Sequence, residues 1–182
     1  MLLYLFLFLF LFLTIFALLM SFSLIVGLIQ TGGVPFVSTS RRGFDAISQL
    51  AEIKPGDIIY DLGCGKAHFL IQTVKKHNAR GIGYELALWP YLWAKFNVWR
   101  SRARVKIYRK NFFKASLNEA DVVFCYLFPG TMVKLEPKFS VELRPNARVV
   151  VAAFQLPNLE PKKSVLINDN NTKLGKFYLY VF

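Results

Sequence analysis

Ile58-Ile-Tyr-Asp-Leu-Gly-Cys-Gly65 is an apolar run that ends in a turn bearing two glycines and leads into the helical pattern of Ala67–His77. A β-rich strand followed by such a turn and a helix is the opening of a βαβ unit. Gly63 and Gly65 let the backbone bend sharply and come close to a ligand, where a Cβ would collide. Twenty residues after Gly65, Glu85 closes a second β-rich run, Arg80–Glu85. A carboxylate at the tip of the neighbouring strand can accept hydrogen bonds from both hydroxyls of a ribose. Glycine turn and downstream acid together therefore predict a nucleoside site.

Asp61 narrows the ligand. It stands immediately before the turn, where a carboxylate repels a pyrophosphate and attracts a positively charged amino-acid moiety. The full dinucleotide fingerprint is missing, and Lys66 is not followed by the Ser or Thr of a phosphate loop. A sulfonium nucleoside, S-adenosylmethionine, fits these features better than a dinucleotide does.

Outward from this segment, short β-rich runs alternate with longer helical ones. Leu88–Arg100 reads as a helix, Val105–Tyr108 as a strand, Asp121–Phe128 as a strand, Thr131–Leu143 as a helix and Arg148–Phe154 as a strand. Alternation of this kind predicts a parallel sheet covered on both faces. Ser164–Asn168 and Lys176–Phe182 are separated by the turn-rich Asp169-Asn-Asn-Thr, which predicts a terminal antiparallel hairpin and brings the strand count to seven. The expected fold is α/β. Upstream, Phe44, Ile47, Leu50 and Ala51 recur at helical spacing, with Ser40 as a cap and Lys54-Pro55-Gly56 as the stop.

Residues 2–29 form an apolar run interrupted only by Tyr4, Thr14, Ser21, Ser23 and Gly27. That exceeds the ~20 residues needed to cross the hydrocarbon core of a bilayer. A cleaved signal sequence would begin with basic residues and carry a shorter apolar stretch and a small-residue cleavage site. The expectation is a retained membrane helix over residues 1–30, a linker and short helix over 31–56, and one compact domain over 57–182. No Lys, Arg, Asp or Glu occurs before Arg41, so the formal charge of +12 belongs to the segment after the anchor. Arg41, Arg42 and Lys54 on the C-terminal side of the apolar run place the domain in the cytoplasm by the positive-inside tendency. In a eukaryote the corresponding site would be the mitochondrial inner membrane. The two cysteines, Cys64 and Cys125, do not make a disulfide framework. His68 and His77 have no companion ligands at metal-like spacing, and no metal is expected.

Val34-Pro-Phe-Val-Ser-Thr39, Asp61-Leu-Gly-Cys-Gly65, Gly83-Tyr-Glu85, Asn111-Phe-Phe113, Ala120-Asp-Val-Val-Phe-Cys-Tyr-Leu-Phe-Pro129 and Leu143-Arg-Pro-Asn-Ala-Arg-Val-Val150 carry a resemblance. From Val34 to Pro161 the chain resembles the small class I methyltransferase family that includes the adenine nucleotide translocase and ATP synthase c-subunit lysine methyltransferases. The resemblance implies a seven-stranded Rossmann-like sheet, S-adenosylmethionine as cofactor and lysine methylation in a membrane protein. It implies that Asp61, Leu62, Gly63, Cys64 and Gly65 line the methionine side, that Glu85 holds the ribose, and that Asn111 and Phe112 lie by the adenine. Tyr126 and Pro129 would border the methyl-transfer site, with Pro35, Phe36 and Thr39 closing over it. Three departures stand out. Relatives usually have Asp-Gly at Lys66-Ala67, an acidic residue at Asn111, and Asn-Pro or Asp-Pro near Ala87-Leu88.

Between Lys95 and Lys114 eight basic residues occur with no acidic one, interleaved with Phe96, Trp99, Tyr108, Phe112 and Phe113. The reading is a surface for anionic lipid, or a solvated face beside a helix that buries Trp89, Trp93 and Phe96. Nucleic acid suits the composition less well, because the anchor argues against it. The alternatives to lysine methylation are an RNA or small-molecule methyltransferase and a noncatalytic cofactor-binding membrane scaffold.

Overall fold

The computed structural model describes residues 2–30, 41–167 and 175–182. Phe36, Thr39 and the whole Val-Pro-Phe element lie outside the described residues, as do Ser40 and the connection between the last two strands. The helix α1 (Leu2–Gln30) precedes α2 (Arg41–Leu50), β1 (Ile58–Leu62), α3 (His68–His77), β2 (Arg80–Tyr84), α4 (Leu88–Ser101) and β3 (Val105–Tyr108). After these come a 3-10 turn (Phe112–Lys114), β4 (Val122–Cys125), α5 (Pro129–Glu142), β5 (Arg148–Ala152), β6 (Lys163–Leu166) and β7 (Lys176–Val181).

The seven strands form one sheet in the order β3-β2-β1-β4-β5-β7-β6. Six run in one direction, β1 to β5 among them paired side by side in parallel, and β7 runs antiparallel to both β5 and β6. The terminal hairpin and the strand count agree with the sequence reading. Strand order reverses between β1 and β4, which pair directly. In open α/β sheets the crevice beyond the carboxyl ends of strands flanking such a reversal is where ligands bind.

The central strands are buried on both faces, and their residues divide by alternation. On one face Ile59, Val122, Phe124, Val150 and Ile107 pack under Phe44 and Ile47 of α2, Phe69, Leu70 and Val74 of α3, and Ala94 of α4. On the other, Tyr60, Leu62, Val123, Cys125, Val149 and Val151 pack under Met132, Leu135 and Phe139 of α5. Gly81 fits the first layer because a Cβ there would meet Val74 Cγ2 at 3.1 Å and Val105 Cγ2 at 3.0 Å. Helix α2 is tied to the sheet by Arg148, whose guanidinium donates to the carbonyls of Ala51 and Glu52 and to the Asp57 carboxylate, each at 2.7 Å.

One expectation about α4 is overturned. Trp93 and Phe96 do not form its buried face; both are exposed, with Leu92 and Trp99, and Trp89 is only partly covered. The side against the sheet carries Ala94, Tyr91 and Val98. Apolar residues surround this helix, so their periodicity does not distinguish inside from outside. The smaller Ala94 wins the close approach to the strands.

Candidate active site

The carboxyl ends of β1 to β4 collect the site residues. Asp61 and Leu62 end β1, Gly63-Cys64-Gly65 form the turn, Glu85 follows β2, Asn111 and Phe112 follow β3, and Tyr126 and Pro129 lie between β4 and the first turn of α5. Their neighbourhood follows from the register, since Leu62 pairs with Tyr84 on one side and Cys125 on the other.

The turn is held by the neighbouring strand. The N–H groups of Gly63 and Cys64 both donate to the Tyr84 carbonyl, at 2.9 and 3.0 Å. Gly63 and Gly65 have φ of +87° and +53°, in the left-handed region. Cys64 packs against Gly83, where a Cβ would lie 2.7 Å from its Sγ. Burial pushes its thiol pKa well up, and the nearby Asp61 and Glu85 carboxylates add to this. Leu62 is likewise buried in the core. These two members of the motif pack into the core layers on either face of the sheet.

Glu85 does more than the sequence reveals. Its Oε2 accepts from the Gly65 N–H at 3.0 Å and its Oε1 from the Ala87 N–H at 2.9 Å. The carboxylate therefore fixes the glycine turn and the start of α4 together. Each oxygen keeps a further lone pair for a sugar hydroxyl. No spacing rule signals this bond; only the parallel register of β1 and β2 brings the two residues together.

Asp61 is buried, and its carboxyl pKa is raised from 3.8 to about 8, first by desolvation and then by the Glu85 charge. Among the described residues it forms no ion pair. A buried carboxylate without a cation is costly, and a ligand ammonium or sulfonium would supply the missing charge. Helix α3 begins at Ala67 with no side-chain cap, which leaves its first N–H groups open to a carboxylate. A crevice offering a carboxylate to an amine, open amides to an acid and a second carboxylate to a diol matches an amino-acid nucleoside such as S-adenosylmethionine.

Asn111 caps the 3-10 turn, its Oδ1 accepting from the Phe113 N–H at 3.0 Å. One lone pair of that oxygen is thus engaged locally, and its second lone pair and the amide NH2 remain for a base. Phe112 and Phe113, with ring centroids 4.7 Å apart, form the adjoining apolar wall. At the end of β4, Tyr126 is half-buried against the α2–α3 layer and Pro129 is exposed at the first position of α5. Phe128 and Phe154 stand beside them with centroids 6.3 Å apart.

Comparison with known proteins agrees with this geometry. Residues 61–163 match the family described as ANTKMT methyltransferase domain. A protein-lysine N-methyltransferase of Saccharolobus islandicus is 32% identical over 151 residues, covering 81% of this chain and 93% of the relative. The adenine nucleotide translocase lysine N-methyltransferase of mouse is 33% identical over 130 residues, covering 70% of this chain and 56% of the mouse protein, so the match spans about half of that relative's length. A crystal structure described as an RNA methyltransferase from Salinibacter ruber, in complex with S-adenosyl-L-homocysteine, superposes with a TM-score of 0.74 at 28% identity over 80% of this chain and 93% of that one. A methyltransferase from Geobacter sulfurreducens, also with S-adenosyl-L-homocysteine, shares the fold with a TM-score of 0.57 at 18% identity, over 66% of this chain and 52% of that one. Sheet, crevice and relatives converge: the chain belongs to the ANTKMT methyltransferase-domain family and is an S-adenosylmethionine-dependent methyltransferase.

Proposed function

We propose that this enzyme is a protein-lysine N-methyltransferase anchored in a membrane by α1, with a membrane protein as its substrate. The observation that carries the reading is the likeness to a protein-lysine N-methyltransferase along 81% of the chain, joined to an apolar helix of 29 residues at the N-terminus. A helix of that length extends about 44 Å, more than the ~30 Å of a bilayer core. The orientation that follows from Arg41, Arg42 and Lys54 puts the domain on the cytoplasmic side.

The bound cofactor supplies an electrophilic methyl group and a thioether leaving group, so the protein needs little acid–base chemistry. The chain's own residues hold the cofactor and prepare the amine. Asp61 and the α3 N-terminus orient its amino-acid end, and Glu85 its ribose. A lysine must lose its proton before it can attack, and an apolar approach favours the neutral amine. Phe128, Phe154 and the half-buried Tyr126 form such an approach, the Tyr126 hydroxyl serving to orient the amine. Phe36 and Thr39 are assigned to the same channel from the family resemblance. Held by Asp61, the α3 N-terminus and Glu85, the cofactor would supply the methyl carbon to the amine nitrogen and keep the electron pair of the carbon–sulfur bond on its sulfur, and the proton of the methylated amine would pass to water.

The test is to incubate the purified full chain with methyl-labelled cofactor and fractionated membrane and soluble extracts. The expected result is label on a membrane polypeptide, recovered as N-methyllysine after hydrolysis. Label confined to RNA would overturn the assignment in favour of the second reading, which draws on the Salinibacter ruber structure's description and the basic stretch at 95–114. Cofactor binding without label on any fraction would instead support the noncatalytic scaffold.

A further inference from the structure

We propose that the outer face of α4 lies on an anionic membrane surface, and that this contact aims the mouth of the active site at the bilayer. The inference rests on the membrane reading above and adds a second, peripheral contact to the anchor.

The face is defined by helical spacing. Leu92, Trp93, Phe96 and Trp99 project from one side of α4 and are 44%, 53%, 48% and 74% exposed. The three aromatic rings run as a continuous row, with centroids 6.1 Å apart from Trp93 to Phe96 and 5.9 Å from Phe96 to Trp99. Four large apolar side chains in succession form a patch of the kind that marks a contact surface. Elsewhere in the described domain the exposed apolar residues do not form such a row of rings.

Three observations choose lipid as the occupant. Tryptophan and phenylalanine beside basic residues suit the headgroup region, where an amphipathic helix buries its apolar side and offers its charges to phosphates. Lys95 and Arg100 are exposed on α4, and Arg102 and Arg104 follow it, also exposed, with no acidic residue from Lys95 to Lys114. The apolar helix α1 comes into contact with α4, so a bilayer that contains α1 is close at hand. Helix α4 also starts at the site: Ala87, its N-cap, donates its N–H to Glu85. Seating α4 on the surface therefore brings the ribose end of the crevice to the level at which a lysine of a membrane protein emerges.

All three tryptophans of the chain, Trp89, Trp93 and Trp99, lie on α4, so tryptophan fluorescence, excited selectively over tyrosine, reports this helix alone. The full chain is reconstituted into nanodiscs of phosphatidylcholine with a minority of phosphatidylglycerol, with and without bromine on the acyl chains. The expected result is blue-shifted emission, loss of most of the emission with brominated lipid, and weaker loss in Trp99→Phe and Trp93→Phe variants. A Trp93→Ser/Phe96→Ser/Trp99→Ser variant should stay in the discs and keep its affinity for S-adenosylhomocysteine, yet methylate a membrane-embedded substrate more slowly. Emission that brominated lipid does not quench overturns the docking while the anchor stands, whether acrylamide reaches the rings or a second copy or α1 shields them. A chain that does not co-purify with the discs overturns the anchor and the docking together.

Discussion

The Gly65 N–H donates to Glu85 Oε2 at 3.0 Å, so the residue proposed to hold the ribose also closes the turn proposed to receive the methionine end of the cofactor. Because Glu85 Oε1 is held by Ala87 as well, three segments depend on one carboxylate. A glutamine at this position would turn an NH2 toward one of two N–H donors, and no rotation of the amide satisfies both. A hydrogen bond to a charged group contributes about 1.5–3 kcal/mol, so Glu85→Gln should weaken S-adenosylhomocysteine binding by at least about tenfold. Titration calorimetry measures this; an unchanged Kd would remove Glu85 from the site.

Asp61 makes cofactor binding depend on pH. In the ligand-free fold its carboxyl titrates at about 8, and facing a cationic amino-acid group requires the charged form. Binding then releases a proton, and affinity should rise with pH up to about 8 and level off above it, by at most about tenfold per pH unit. Stability of the ligand-free fold moves the other way. A carboxyl whose folded pKa is raised contributes stability that is complete below its unfolded value of 3.8 and is lost as pH rises through about 8. Glu85, also raised by burial, acts in the same direction. Asp61→Asn should therefore raise the Tm of the ligand-free protein at pH 8 while abolishing cofactor binding. A lower Tm for this variant would contradict the unpaired, buried carboxylate.

Arg148 is the clamp between α2 and the sheet. Its side chain is 15% exposed and that of Asp57 11%, and the guanidinium also satisfies two backbone carbonyls. Breaking a buried pair costs about 3–5 kcal/mol, and the residual exposure here argues for the low end. Arg148→Met should lower stability by about 3 kcal/mol, a fall in Tm of roughly 6–12 °C at this size. Arg148→Lys should lie between, because an ammonium cannot span three acceptors in a plane. Thermal melts of the two variants check the ranking.

The strand–turn–helix at Ile58–His77, the second strand with its terminal acid and the final hairpin were legible because each is a local pattern: periodicity, glycine placement, turn chemistry. The role of Glu85 toward Gly65 was not, since it depends on strand pairing across twenty residues. The orientation of α4 misled for another reason. Trp89, Trp93 and Phe96 have the spacing of a buried face, but so do Tyr91, Ala94 and Val98, and hydrophobicity alone cannot rank two apolar stripes on one helix. Asn111 is proposed as an adenine neighbour on resemblance alone, whereas its capping of Phe113 follows from a 3-10 turn that no periodicity announces.

Ala67 shows a local cost that the sequence signalled only as a departure from the glycine usual in relatives. The side chain is fully buried, and the backbone stands at φ +60°, ψ 22°, in the left-handed region. An L-residue there costs about 1–2 kcal/mol. Ala67→Gly relieves that strain but loses about 0.8 kcal/mol of methyl burial and about 0.4–1 kcal/mol through greater freedom of the unfolded chain. The terms nearly cancel, so the substitution should leave stability within about 1 kcal/mol. Ala94 supplies the contrast: it is equally buried but sits inside α4, where a glycine gives up about 1 kcal/mol of helix propensity in addition to the methyl. Ala94→Gly should therefore destabilise by about 2 kcal/mol. Denaturant unfolding of the two variants measures the difference, and equal losses would mean that the turn before α3 bears no strain at Ala67.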